Sequence, residues 1–235
     1  LGLVVAVSLV GQRAQRSAAS PVIMHRPHQV PYSIWQQPGG SGLHGVGSWF
    51  HEPLIDFPEG RSYAFGHTFS FLGKAPGGIL ALTDEPGGRF AVLGLFTDAG
   101  LERLVVPFPW TDGRFYFPLV ALVGDHVGGW VFDQTAGTWA LVAAFAVDPG
   151  WGLLSPVSTT WVAWTGGIRP CERYPPTSSV RFPPVGIGPD SALTVAVGPV
   201  DGVVGSPDSH CPARIIVYDA GRVAYGLGHA GTGIA

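Results

Sequence analysis

The residues best suited to chemistry gather around one stretch, RSYAFGHTFSF, from Arg61 to Phe71. Tyr63, Phe65, His67, Phe69 and Phe71 fall at every second position, with Ser62, Ala64, Gly66, Thr68 and Ser70 between them. A period of two sends the rings to one face of a β-strand and the small residues to the other. His67 therefore stands among aromatic rings, where an imidazole takes a shifted pKa and can serve as a general base or a ligand. The competing expectation is a hydrogen-bonded core histidine. His51, beside Trp49, Phe50 and Glu52, approaches His67 if neighbouring strands pair, which makes the two histidines an acid–base candidate. Retaining glycoside hydrolysis needs two carboxyl groups about 5–5.5 Å apart. The glutamates Glu52, Glu59, Glu85, Glu102 and Glu172 are scattered and lack the clustered Glu-x-Asp-x-x-Glu pattern of sandwich glucanases. No Gly-x-Ser-x-Gly elbow occurs.

Sugar binding asks for flat rings against apolar sugar faces and carboxylates or amides for the hydroxyls. Eight tryptophans are present, and Trp49, Trp110, Trp130 and Trp151 lie beside turns. Asp112, Asp125 and Asp133 fall in or near those turns. Trp49, His67, Trp110, Asp112, Trp130 and Asp133 are accordingly the expected ligand-binding residues, set against the plainer reading that tryptophans fill a sandwich core. No cofactor is implied. A structural calcium held by turn aspartates such as Asp84, Asp98 and Asp125 is compatible with the sequence, though no EF-hand loop occurs.

The elements that must position these residues are strands. The chain has 235 residues, 46% hydrophobic and 12% charged, with 35 Gly and 22 Pro dispersed along it. Strand signals recur at intervals of about ten residues between Gly/Pro turns, and no segment carries a capped 3.6-residue apolar period. This predicts an all-β antiparallel sandwich with almost no helix. Gly78–Thr83 and Arg89–Phe96, joined by DEPGG, read as a hairpin. Further strands are expected at Leu104–Phe108, Arg114–Val123, Trp130–Gln134, Trp139–Val147, Val157–Trp164, Ala192–Val197, Arg214–Tyr218 and Arg222–Leu227, with an edge strand around Tyr32–Trp35. The formal net charge of −3 and the single lysine, Lys74, argue against nucleic acid or an anionic membrane as partner.

Residues 1–19 read as the apolar and cleavage regions of a secretory signal without its basic start, with Ser17 and Ala19 at the cleavage positions; a buried N-terminal strand and a membrane anchor are the competing expectations. Residues 20–47 read as an extended leader and Gly-rich loop, and 48–235 as a single sandwich domain. Its region from about 166 onward is Pro-rich, and its Gly166–Asp190 stretch is a poor source of core strands. Cys171 and Cys211 are the only cysteines. In a secreted protein they form one disulfide, closing a loop of roughly 40 residues and contributing about 4 kcal/mol.

From Trp49 to about Pro184, the succession YAFGHTFSF, GGILAL, VPFPWTDGRFYFPLV, GGWVFDQTAGTW and TTWVAW with RPCERYPP resembles a family of secreted bacterial domains of unknown function. That resemblance implies a jelly-roll sandwich of the lectin and glucanase (concanavalin A-like) type. Where an acidic residue is expected after the aromatic of TTWVAW, this chain has Ala163 and Trp164. The combined expectation is a secreted, non-catalytic protein that binds a polysaccharide or other cell-surface polymer and leaves the membrane after signal cleavage. The alternatives are a polysaccharide lyase or hydrolase, and a structural or interaction module of the cell envelope.

Overall fold

The computed structural model describes residues 29–40, 42–51, 63–73, 77–165, 177–205, 213–217 and 222–227. Residues 1–19, expected to form a secretory signal, and both cysteines fall outside the described residues. In chain order the strands are β1 (Gln29–Gln36), β2 (Gly45–Gly47), β3 (Phe50–His51), β4 (Tyr63–Phe69), β5 (Gly78–Glu85), β6 (Gly88–Thr97), β7 (Gly100–Pro107), β8 (Phe115–Val123) and β9 (His126–Asp133). There follow β10 (Thr138–Ala146), β11 (Val157–Trp164), β12 (Thr177–Arg181), β13 (Val185–Ile187), β14 (Leu193–Val195), β15 (Val197–Gly205), β16 (Ala213–Val217) and β17 (Val223–Leu227). A single 3-10 turn at Pro149–Trp151 is the only helical element among the described residues.

The strands form two antiparallel sheets. The first runs β15-β1-β11-β4-β5-β6-β7. The second has ten strands. On one side of β8 lie β9 and then β10. On its other side, β2 and β3 share the edge of β8 end to end, pairing Gly47 with Leu119 and Phe50 with Tyr116. Beyond β2 come β13 and β14; beyond β3 come β12, β17 and β16.

The two sheets are held together by the alternation read in β4. Tyr63, Phe65 and Phe69 are fully buried between the layers, with Trp35, Leu80 and Val162 from the same sheet and Phe50, Tyr116 and Val120 from the other. Each such side chain contributes about 1.5–3 kcal/mol of apolar burial. On the opposite face of β4, Trp161 lies against Gly66: a Cβ added there would sit 2.0 Å from Trp161 Cζ2. The indole Nε1 of Trp161 donates to Thr68 Oγ1 at 2.7 Å. The small face of β4 is thus a seat for a tryptophan of the neighbouring strand.

Several sequence expectations change. β1 is an interior strand between β11 and β15, so residues 29–36 belong to the sandwich and are neither leader nor edge. The Gly-rich loop contributes β2, where Gly47 admits the Phe117 ring. The region beyond residue 166 is integral to both sheets: β15 flanks β1, and β12 carries Ser179 and Arg181 into the interior. Its prolines fall outside β12 and β13, and Pro199 within β15 sits at the register shift between the Ile34–Val200 and Gln36–Val197 pairs, so a Pro-rich composition still yields sheet. The expected Ala192–Val197 strand is split at Ala196 into β14 and β15, which pair in different sheets.

Candidate functional site

His67 sits on the inner face of β4, opposite Thr160 of β11 and Leu80 of β5. It is completely buried, and among the described residues neither ring nitrogen has a hydrogen-bond partner. Burial, reinforced by the positive charge of Arg181, lowers its pKa from 6.5 to about 3. The ring is therefore a neutral imidazole at physiological pH. Around it the inner face is unusually polar. Thr160 Oγ1 accepts from the Trp35 indole at 2.8 Å, Ser158 Oγ is buried without a partner among the described residues, and Arg181 lies 4.2 Å over the Phe50 ring. Among the described residues no carboxylate bonds the His67 ring. His51 is in the other sheet, stacked 4.5 Å from Phe115 on the outward side. The two histidines share no site.

Trp110 and Asp112 belong to a staple at the end of the β5–β6 hairpin. Trp110 is buried, with its Nε1 donating to the Thr83 carbonyl at 3.1 Å. The Arg89 guanidinium lies 4.3 Å over the indole, donates to the Trp110 carbonyl at 2.8 Å, and pairs with Asp112 at 2.8 Å and Asp84 at 3.4 Å. Trp110 and Asp112 are thus both tied to Arg89 in the contacts that close this end of the hairpin. Asp98 lies in the β6–β7 turn and Asp125 in the β8–β9 turn, where its Oδ1 bonds His126 Nδ1 at 2.6 Å. That bond holds the exposed Asp125 carboxyl below its usual pKa. Asp84 lies near the end of β5, whereas Asp98 and Asp125 occupy two separate turns. Among the described residues no three potential ligands converge on a metal position.

Trp49 and Trp130 meet on a different surface, the outer face of the ten-stranded sheet. Strand alternation sends Tyr116, Val120 and Val131 inward and Phe117, Leu119, Trp130 and Phe132 outward. Register then arranges the outward residues in rows across the strands. One row is Trp49, Phe117, Phe132 and Trp139, whose neighbouring ring centroids are 5.0, 6.0, 6.1 and 5.1 Å apart for Trp49–Phe117, Trp49–Phe132, Phe117–Trp139 and Phe132–Trp139. The next row runs Val195, Val185, Gly47, Leu119, Trp130 and Leu141, and the third runs Leu193, Ile187, Gly45, Ala121, Gly128 and Ala144. At β14 the alternation is fixed by Thr194, which turns inward to bond buried Gln37 at 3.0 Å and leaves Leu193 and Val195 outside.

The glycines of this face let rings lie down on the sheet. A Cβ on Gly128 would fall 2.2 Å from the Trp130 ring, and one on Gly47 would fall 2.6 Å from Phe117. Trp139 is 45% exposed, Leu141 52%, Val195 58% and Leu193 71%. None of the three rows holds a charged residue. Among the described residues the indole nitrogens of Trp49, Trp130 and Trp139 have no hydrogen-bond partner. Asp133 closes the β9–β10 turn at the border of the face. Its Oδ1 accepts from the amides of Thr135 and Ala136 at 2.8 and 3.0 Å, and Arg114 lies 3.8 Å from Oδ2.

Sequence reasoning found Trp49 and Trp130 but missed Phe117, Phe132, Trp139 and Leu141. Their signal was present: Phe115, Phe117 and Leu119, and Trp139 and Leu141, alternate at period two. The side of each strand that faces outward becomes legible only with the sheet order.

No protein-family model matches the chain, and no curated protein matches it. Solved structures share its fold. A scytalido-glutamic peptidase with a transition state analog inhibitor superimposes with a TM-score of 0.55 at 8% identity, over 86% of this chain and 98% of that one. SCP-B, a member of the eqolisin family of peptidases in a complex with the tripeptide Ala-Ile-His, gives 0.53 at 9% identity over the same shares. Chicken galectin 2 gives 0.37 at 11% identity, over 62% of this chain and 97% of its own. The antiparallel sandwich is common ground with the two peptidases, and at these identities the likeness extends to the fold alone. Among the described residues no helix is long and apolar enough to cross a membrane.

Proposed function

We propose that this is a secreted, non-catalytic protein that holds a glycan or cell-surface polymer on the outer face of its ten-stranded sheet. The observation that carries the reading is the three uncharged, ring-bearing rows of this face, with Trp139 and Leu141 about half exposed. A solvent-facing apolar patch of this kind marks an interaction surface, and rings lying on glycine offer their free faces for stacking against sugar rings. The inner histidine speaks against the hydrolase or lyase alternative. It is closed off from solvent, neutral, and far in the fold from His51. The peptidase activity named for the fold neighbours gains no support from a likeness of fold. The two described glutamates, Glu85 and Glu102, lie on different strands of the first sheet, β5 and β7, separated by β6.

Affinity electrophoresis of the mature protein through gels containing a panel of polysaccharides tests the reading. Retardation in at least one polysaccharide, reduced by Trp139→Ala, supports it; free migration in all of them refutes it. A second reading, an interaction module of the envelope, is favoured by the exposed Leu193 and Val195 on β14, an edge of the same sheet. Sedimentation velocity separates the two: a self-associating protein sediments faster with concentration, whereas a glycan binder sediments as a monomer.

A further inference from the structure

We propose that this face engages the surface of an ordered, insoluble, uncharged polysaccharide and not a single soluble chain. The inference rests on the glycan-binding reading above and specifies its ligand. The first argument is breadth. The rows containing Trp130 and Gly128 cross six strands, from β14 to β10. Five inter-strand spacings of about 4.8 Å make a surface roughly 24 Å wide. Apolar exposure continues to its far edge at Leu193, well beyond the reach of one stacked sugar.

The second argument is relief. A site for a soluble sugar is concave, with walls carrying a few placed polar groups. Here the floor is filled: Phe117 lies over Gly47, Trp130 lies over Gly128, and Ile187 reaches to within 3.1 Å of where a Cβ on Gly45 would sit. The third argument is chemistry. The rows carry no charge, which disfavours an anionic or cationic polymer. Their polar atoms are the unpaired indole N–H groups of Trp49, Trp130 and Trp139, which only donate. A donor-only set can meet ring, glycosidic and hydroxyl oxygens across a broad surface. It lacks the acceptors needed to hold the hydroxyl hydrogens of one sugar in place.

The test uses the full mature protein with microcrystalline cellulose and chitin powders, alongside soluble oligosaccharides of the same two polymers. The proposal expects depletion from the supernatant by at least one powder, unchanged between low and molar salt. Trp139→Ala combined with Leu141→Ser should weaken adsorption roughly tenfold while the protein stays folded by circular dichroism. Soluble oligosaccharides in excess should not displace the protein. If they release it and bind in titration calorimetry, the surface inference is overturned and the glycan reading stands. If neither powders nor oligosaccharides bind, the surface inference is overturned, and the glycan reading falls with it when the polysaccharide gels also show free migration. If the double variant instead abolishes dimerisation of a protein that never adsorbs, the face is an interface between copies of this chain, which also overturns the proposal.

Discussion

Replacing His67 by leucine should stabilise the protein, and increasingly so as the pH falls. The imidazole is fully buried, with neither nitrogen hydrogen-bonded among the described residues. Each buried polar atom left unsatisfied costs about 1–3 kcal/mol, and Leu80 on the paired strand shows that an apolar side chain suits this layer. At pH 7 His67→Leu should therefore gain about 1–3 kcal/mol, or roughly 2–4 °C in Tm per kcal/mol for a domain of this size. The pH dependence follows from linkage. Above pH 6.5 the ring is neutral in both folded and unfolded chains and contributes no slope. Between 6.5 and about 3 the unfolded chain takes a proton that the folded chain refuses. Wild-type stability then falls by about 1.4 kcal/mol per pH unit from this group alone. At pH 4 the loss amounts to about 3 kcal/mol. Carboxylates elsewhere titrate in both proteins and cancel in the difference. Urea unfolding of both proteins at pH 7, 5.5 and 4 measures it. The gap should widen steadily toward acid. A constant gap, or a variant less stable than wild type at pH 7, would show that the ring has a partner and is not an unpaired neutral core histidine.

Other predictions follow from single contacts. Gly66→Ala places a methyl group inside the Trp161 ring, so the indole must leave its seat and its bond to Thr68; a loss of about 1–3 kcal/mol and a changed tryptophan emission are expected in chemical denaturation followed by fluorescence. Arg89→Met removes the cation over Trp110 and leaves Asp112 without its 2.8 Å partner, which should cost about 1–3 kcal/mol in urea unfolding. Asp133→Ala strips two amide bonds from the β9–β10 turn and should lower stability by about 1 kcal/mol with little change in polysaccharide binding. Intact mass and N-terminal sequencing of the exported protein should find Ser20 first and a Cys171–Cys211 disulfide; a reduced protein beginning elsewhere would contradict the secretion reading.

The fold was largely written in local patterns. Period-two alternation identified β4, the DEPGG turn identified the β5–β6 hairpin, and Val157–Trp164 was read with the bounds it has as β11. The misreadings share one cause: a strand's place in a sheet is decided by distant partners. Tyr32–Trp35 read as an edge strand, beside Pro31 and Pro38, yet β15, some 170 residues further on, closes against β1. β12 looked like poor strand material, yet pairing with β3 and β17 carries Arg181 into the core. The same limit applied to the site. Trp110 and Trp130 have equal claims as turn-proximal tryptophans, and only the position of Arg89 and the floor at Gly128 separate the buried one from the surface one. His67 was rightly singled out by its ring neighbours, but those neighbours could not say that it lacks a partner.

The central claim is that ligand rests on the outer face of the ten-stranded sheet. Oxidative footprinting of the mature protein, free and adsorbed on the polysaccharide that retains it, tests this most directly. Trp161, on the outer face of the opposite sheet, is the internal control. Protection of Trp139 and Trp130 with unchanged labelling of Trp161 is the predicted result. Equal labelling of Trp139 in both states, or protection confined to Trp161, would contradict the account.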